Sequence, residues 1–284
     1  MISILLPTDF SENSKNAITY ATEFFKHQTV AFFFMHAYYN EAHSYDEMVS
    51  RGVFYEIVDS VRNRSERNLE NMVAEIKKST PNPRHTYQVI SSYKTLVEAA
   101  NLISEAKNID LIVMGTTGKS NQRRLKFGSN TFQVLKSVKC PVLAIPSHYK
   151  MTELKNILFP TDYRVLYKER ELKLLNTLAE SYRSLITVLH ISKNKKLTVK
   201  QGENQAFINN TVKSTEVDFC IENNKDIALS IQEYIKNKEI ELLVMVNTRH
   251  SFWEKILLES TIDHIGIDLK IPLLVLQNAT RSLK

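Results

Sequence analysis

Three of the chain's six glycines fall in one short stretch, at positions 115, 118 and 128. The stretch runs LIVMGTTGKSNQRRLKFGSNTFQVLKSVKCPVLAIP, from Leu111 to Pro146. The chemistry this spacing suits is anion binding. Gly115 and Gly118 are expected to turn the backbone with φ > 0 and let it approach a ligand with no Cβ in the way. Gly128, Ser129 and Asn130 stand at a helix start, because Val134, Leu135 and Val138 follow at helical spacing. The first amide N–H groups of a helix lack intrahelical partners and carry the positive end of its dipole, so phosphate fits there. A simpler reading makes Gly115 and Gly118 ordinary turn glycines and Ser129 or Asn130 a helix cap. The concentration of half the chain's glycines in one loop decides for a ligand. Lys119, Arg123, Arg124 and Lys126 lie in the same loop; they either neutralise phosphates or face solvent, and both readings stay open. Gly118-Lys119-Ser120 is not the end of a P-loop, since that motif needs a glycine where Val113 stands.

The flanking residues supply the elements that would hold this loop. Leu111–Met114 reads as a buried strand, Thr131 opens a helix that Pro141 breaks, and Val142–Ile145 reads as another strand. At the chain start, residues 2–7 form an apolar strand followed by Thr8 and Asp9. Ser11 to Asn13 offers caps for a helix with Ala17, Tyr20, Ala21, Phe24 and Phe25 on one face. Thr29–His36 is apolar throughout, as a strand covered on both faces would be. The segment 40–80 reads as an insertion interrupted by Gly52, with an amphipathic second part carrying Leu69, Met72, Val73 and Ile76 and a mixed-charge solvated face. Thr86–Ser91 is a third strand, and Thr95-x-x-Glu98 is a capping-box pattern before a further helix. Strands alternating with helices predict an α/β domain with a doubly wound parallel sheet over residues 1–147. Such sheets place ligands at the carboxyl ends of their strands, where Asp9 stands. A carboxylate there accepts hydrogen bonds from an amine or hydroxyl, or else caps the next helix. A lone histidine such as His36 at a strand end is more often structural than catalytic.

The second half repeats the first. Ile157-Leu-Phe-Pro-Thr-Asp162 answers Ile4-Leu-Leu-Pro-Thr-Asp9, His190 answers His36, residues 240–245 answer 109–114, and 272–276 answer 141–145. Four segments in one order indicate tandem duplication, with a second domain over 154–284 beyond the polar stretch 147–153. In the repeat, Val246, Arg249 and Glu259 replace the three glycines, and Ser260 alone keeps its type. A Cβ at each position narrows the loop, and Glu259 repels phosphate, so the second domain is not expected to hold a phosphate ligand with the geometry of the first. Asp263-His-Ile-Gly-Ile267 matches an adenylate-synthetase signature in letters only, since it lies before the last strand.

The pattern glycine, two residues, glycine, nine residues, glycine, serine at Gly115, Gly118, Gly128 and Ser129, together with Asp9 after the first strand, resembles the nucleotide motif of the universal stress protein family. The resemblance covers nearly the whole chain as a tandem two-domain type. It implies two Rossmann-like or flavodoxin-like domains paired through their last strands by a pseudo-twofold, with further dimerisation open. It also implies an ATP site in the first domain, AMP or another adenine nucleotide being the alternatives, with Mg2+ or Mn2+ carried by the phosphates. Asp9 would contact the adenosine part, Pro7 and Thr8 would shape the pocket, and Ala37 would offer backbone groups to adenine. Met114, Gly115, Gly118, Gly128, Ser129 and Asn130 complete the expected site.

Composition narrows the classes further. Hydrophobic content of 43% supports a globular core, and no apolar run approaches the roughly 20 residues of a membrane span. MISILLPTDF lacks a signal-peptide pattern, and Cys140 and Cys220 lie in different halves, so a cytoplasmic protein without disulfides is expected. The net charge of +6 is scattered among acids, which argues against a nucleic-acid face. No metal cluster, nucleophile elbow or paired carboxylates point to an enzyme. The expectation is an ATP-binding stress-response protein with unknown protein partners, slow ATP hydrolysis and a nucleotide-free scaffold being the alternatives.

Overall fold

The computed structural model describes residues 1–44, 50–116, 128–192, 196–212, 216–224, 226–247 and 270–278. Two compact units divide the chain, Met1–Met151 and Thr152–Lys284. Among the described residues no helix is long and apolar enough to cross a membrane.

The first unit is built on five parallel strands. β1 (Ile2–Pro7) is followed by α1 (Glu12–Phe24), β2 (Val30–Ala37), α2 (Tyr39–His43), α3 (Arg51–Ser79), β3 (His85–Ser92), α4 (Leu96–Ala106), β4 (Leu111–Gly115), α5 (Ser129–Ser137) and β5 (Val142–Ile145). Their order across the sheet is β3-β2-β1-β4-β5. The chain steps outward from β1 to β3, then returns to the far side of β1. The switch point therefore lies between β1 and β4, where Ile4 sits opposite Leu111 and Leu5 opposite Ile112. β2 lies centrally between β1 and β3, and Val30 to His36 are all buried, which is why its sequence shows no polar alternation.

Two helix starts follow the local chemistry of their residues. The Ser11 hydroxyl caps α1 by accepting from the Ser14 amide. At α4, the Glu98 carboxylate accepts from both the Thr95 hydroxyl, 2.7 Å, and the Thr95 amide, 3.2 Å. The expected interruption at Gly52 does not occur. Gly52 is the second residue of α3, and a Cβ there would meet nothing within 4 Å. In the first turn of a 29-residue helix, its backbone entropy cost is small beside the apolar burial of the later turns. That burial is the stripe Val61, Ser65, Leu69, Met72 and Val73.

The second unit repeats the pattern with β6 (Asn156–Pro160), α6 (Glu169–Tyr182), β7 (Leu185–Ile191), α7 (Val199–Thr211), β8 (Val217–Glu222), α8 (Ile227–Asn237), β9 (Leu242–Asn247) and β10 (Leu273–Gln277). Its order is β8-β7-β6-β9-β10, with Ile157 opposite Leu242 at the equivalent switch point. Both units are thus doubly wound α/β sheets.

Leu69 is fully buried on α3, so Leu69→Ala is expected to destabilise the first unit by about 2–5 kcal/mol. Urea denaturation would check this; a loss under 1 kcal/mol would mean that α3 is not docked through this stripe.

Candidate functional site

The carboxyl ends of β1, β2 and β4 open into a cavity of about 490 Å3. Pro7, Thr8, Asp9 and Ser14 line it from β1 and the start of α1, His36 and Ala37 from the end of β2, and Met114 and Gly115 from β4. Gly128, Ser129, Asn130 and Thr131 close one side at the start of α5; Asn40, Glu41, Lys94, Thr95 and Leu96 close the other. A volume of this size lies within the roughly 300–1,000 Å3 range of small-molecule sites. Of the expected site residues, Pro7, Thr8, Asp9, Ala37, Met114, Gly115, Gly128, Ser129 and Asn130 meet here. Gly118 lies outside the described residues, as do Lys119, Arg123, Arg124 and Lys126.

The turn after β1 is held by its own side chains. The Thr8 hydroxyl accepts from the Phe10 amide, 2.9 Å, and the Asp9 carboxylate accepts from the Ser11 amide, 3.0 Å. These bonds support Phe10 in the left-handed region at φ 63°, a conformation that costs a non-glycine residue energy unless its surroundings fix it. Asp9 does not cap α1; Ser11 does. Thr8 also meets the Ser14 hydroxyl at 2.9 Å. The turn thus presents Asp9 at the cavity and draws the start of α1 across the end of β4.

That crossing explains Gly115, and it corrects the expected reason for a glycine there. No described glycine has a positive φ. Instead, a Cβ on Gly115 would stand 3.0 Å from the Asn13 carbonyl oxygen and 3.2 Å from its carbon. The residue is small because two backbones nearly touch. The Gly115 carbonyl accepts from the Thr131 hydroxyl at 2.8 Å, and the Gly128 amide donates to the Thr116 carbonyl at 2.8 Å. These two bonds fix the start of α5 beside the end of β4. Gly128 itself is the cap residue, at φ −61° and ψ 148°, and contributes no side-chain cap; Ser129 and Asn130, caps only in the simpler reading, are the first two helical residues. Their amides belong to the first turn of a helix, whose N–H groups lack intrahelical partners.

Sequence reasoning missed the far side of the cavity. His36, set down as structural, lines it, with Nδ1 2.9 Å from the Ser65 hydroxyl and its ring 4.7 Å from that of Phe10. Lys94 to Leu96 reach it because α4 starts directly after β3. The sequence carries their signal, since Thr95 marks a helix start after a strand, which in a parallel sheet faces the ligand edge. Asn40 and Glu41 had no such signal, since they sit on the five-residue α2 inside the insertion. The Thr95 hydroxyl and then its amide hold the exposed Glu98 carboxyl below the usual carboxylate range.

The second unit builds the same turn. Thr161 accepts from the Tyr163 amide at 2.9 Å, Asp162 accepts from the Arg164 amide at 2.9 Å, and Tyr163 takes φ 53°. Six residues after each threonine, however, Ser14 of the first unit is answered by Tyr167, whose phenol hydrogen-bonds Thr161. Tyr163 is fully buried, and the Asn204 and Gln201 amides of α7 donate to the Tyr163 and Asp162 carbonyls at 2.7 and 2.9 Å. Val246 lies in β9 opposite Leu276. Arg249, Glu259, Ser260 and the segment 263–267 lie outside the described residues.

A model of the Universal stress protein family matches residues 1–146. Universal stress protein MJ0531 of Methanocaldococcus jannaschii is 50% identical over 42 residues, 15% of this chain and 25% of that protein. Universal stress protein MJ0577 of the same organism is 25% identical over 155 residues, 50% of this chain and 93% of that protein. The chain thus spans a quarter of the first relative's length and nearly all of the second's. A crystal structure of a universal stress protein from Archaeoglobus fulgidus DSM 4304 shares the fold, with a TM-score of 0.70 at 17% identity over 98% of both chains.

Two outcomes follow from this geometry. Gly115→Ala is expected to cost about 1–3 kcal/mol, because the neighbour it meets is backbone; chemical denaturation of the variant measures it, and an unchanged midpoint would contradict the close approach. Burial pushes the Tyr163 phenol up to about 12 from an ordinary 10. Below pH 10 both folded and unfolded states are neutral at this group. Between 10 and about 12 the unfolded phenol ionises while the folded one does not, so stability falls as pH rises, and the loss is complete above the folded value. Tyr163→Phe should therefore flatten the fall in stability across that window.

Proposed function

The chain belongs to the universal stress protein family, and from that premise we propose that its first unit binds an adenine nucleotide, ATP in the first instance, as the input to a stress-response or regulatory role. The observation that carries this reading is the placement of the α5 start beside Gly115. It sets two glycines, Gly115 and Gly128, and the first turn of α5 at one end of a cavity whose other walls include Pro7, Thr8, Asp9, Ala37 and Met114. Phosphates take the α5 end, where amide donors and the helix dipole favour negative charge. The nucleoside then extends over the ends of β1 and β2, past the Asp9 carboxylate. A divalent cation arrives on the phosphate oxygens with its own water. The described residues hold no cluster of three His, Cys, Asp or Glu side chains that would bind one alone, so no protein ligand is assigned to it. Occupancy shifts the population of conformers that partners meet.

We also propose that the second unit holds no nucleotide in this manner. The same strand-end turn there is roofed by Tyr167 and fastened to α7 through Gln201 and Asn204. A shared Thr-Asp pair is therefore no sign of a shared ligand, because in both units it builds the turn.

The test is a charge placed in the anion end. Asn130 is exposed at the second position of α5, where a carboxylate suits the helix dipole but opposes phosphate. Saturation at 100 times Kd adds about 2.7 kcal/mol to stability, so ATP should raise Tm of the wild type clearly. Asn130→Asp should leave the ligand-free Tm unchanged or slightly higher and weaken ATP at least tenfold. No ATP-dependent rise in the wild type, or equal affinity in the variant, rejects the assignment.

A further inference from the structure

One helix serves both the cavity and the segment by which the chain leaves the first unit, and this supports an inference that rests on the nucleotide reading above. β5 ends at Ile145, and the unit ends at Met151. Between them Pro146 to Tyr149 form a four-residue turn, closed where the Tyr149 amide donates to the Pro146 carbonyl at 3.1 Å. Its third residue, His148, stands at φ 63°. That left-handed conformation suits glycine, and another residue keeps it only while its surroundings fix it.

The surroundings are α1. The Asn16 side-chain amide donates to the carbonyls at both ends of the turn, Pro146 and Tyr149, at 3.3 Å each. Residues four apart share a helix face, and four residues on from Asn16 the Tyr20 ring lies 5.9 Å from that of Tyr149. The turn is thus strapped to one face of α1. The start of the same helix belongs to the cavity. Ser14 lines it, and the Asn13 carbonyl is the backbone that nearly touches Gly115. Asn16 follows Ser14 by two residues, and α1 contains no glycine or proline at which its first turn could move apart from its second.

We propose that this strap is the output of the site: a nucleotide in the cavity holds α1, and α1 holds the strap closed. A ligand seated against Ser14 resists displacement of the helix start, and the strap opens only by losing the Asn16 bonds. Opening is local unfolding, which a ligand opposes when it binds the closed form better. The coupling is reciprocal, so a strap kept open weakens the nucleotide by up to the same factor. The segment beyond Ile145 is then a stretch of chain whose exposure reports occupancy.

The experiment is limited trypsin digestion of the full chain with and without saturating ATP. Mass spectrometry follows the first cut after Lys150, which is exposed one residue beyond the strap. Trypsin cuts there through the open form, so the rate follows its population. ATP should slow this cut at least about fivefold in the wild type, the low end of ordinary coupling. Asn16→Ala should speed the cut without ATP and bring the effect of ATP within about twofold. It should still bind ATP, weakened by no more than the factor seen in the wild-type digestion, whereas a merely structural role would leave the ATP effect intact. Tyr149→Ala removes the ring contact from the strap side, leaves α1 as it is, and should act in the same direction; it decides alone if Asn16→Ala does not fold. A wild-type cut that ATP does not slow, or one slowed equally in the wild type and the variants, overturns the inference and leaves the nucleotide site standing. Absence of any ATP-dependent rise in the wild-type Tm overturns the nucleotide reading itself.

Discussion

The near contact between the Asn13 carbonyl and Gly115 is the constraint on which the first unit's site depends. At the switch point of a doubly wound sheet, the helix after β1 and the loop after β4 must share one edge. They can do so at this distance only if β4 ends without a side chain. The turn Thr8-Asp9-Phe10 aims α1 across that edge, and Thr131 and Thr116 fasten α5 to the other side of it. The cavity is what remains between three backbone segments brought close together. Its chemistry is accordingly that of amides and carbonyls at one end and of selected side chains at the other.

The two units separate what the fold requires from what a ligand would require. Both keep the threonine that accepts from the residue two further on, the aspartate that does the same, and a left-handed residue between. Those features belong to the strand–helix turn. The units part at Ser14 against Tyr167 and at Gly115 against Val246, the positions that decide how much room the turn leaves. The second unit fills the turn with two buried phenols, Tyr163 and Tyr167, where the first has Phe10 and the smaller, buried Ser14.

Much of this was legible in the residues. Uninterrupted apolar runs such as Thr29–His36 and their spacing announced buried parallel strands, and the repeated Pro-Thr-Asp marked two copies. The anion end was legible because glycines are few here and cluster. The reason for Gly115 was not, because the partner it nearly touches is Asn13, about a hundred positions away, and only the sheet order brings them together. Glu41 was invisible for a related reason. It lies in an insertion without a strand to anchor its register, and its position follows from how α3 docks through Ser65 onto His36 and Ser91. The stripe Leu69, Met72 and Val73 revealed an amphipathic helix, but a stripe gives a face and not a place.

Amide hydrogen exchange on the intact chain, with and without saturating ATP, tests the central claim most directly, since that claim concerns which backbone a nucleotide covers. The account predicts ATP-dependent protection at the ends of β1, β2 and β4 and in the first turn of α5, residues 8–9, 37, 115–116 and 129–131, and none at residues 161–164 of the second unit. Protection at 161–164 with the first unit unchanged, or no protection in either, would contradict it.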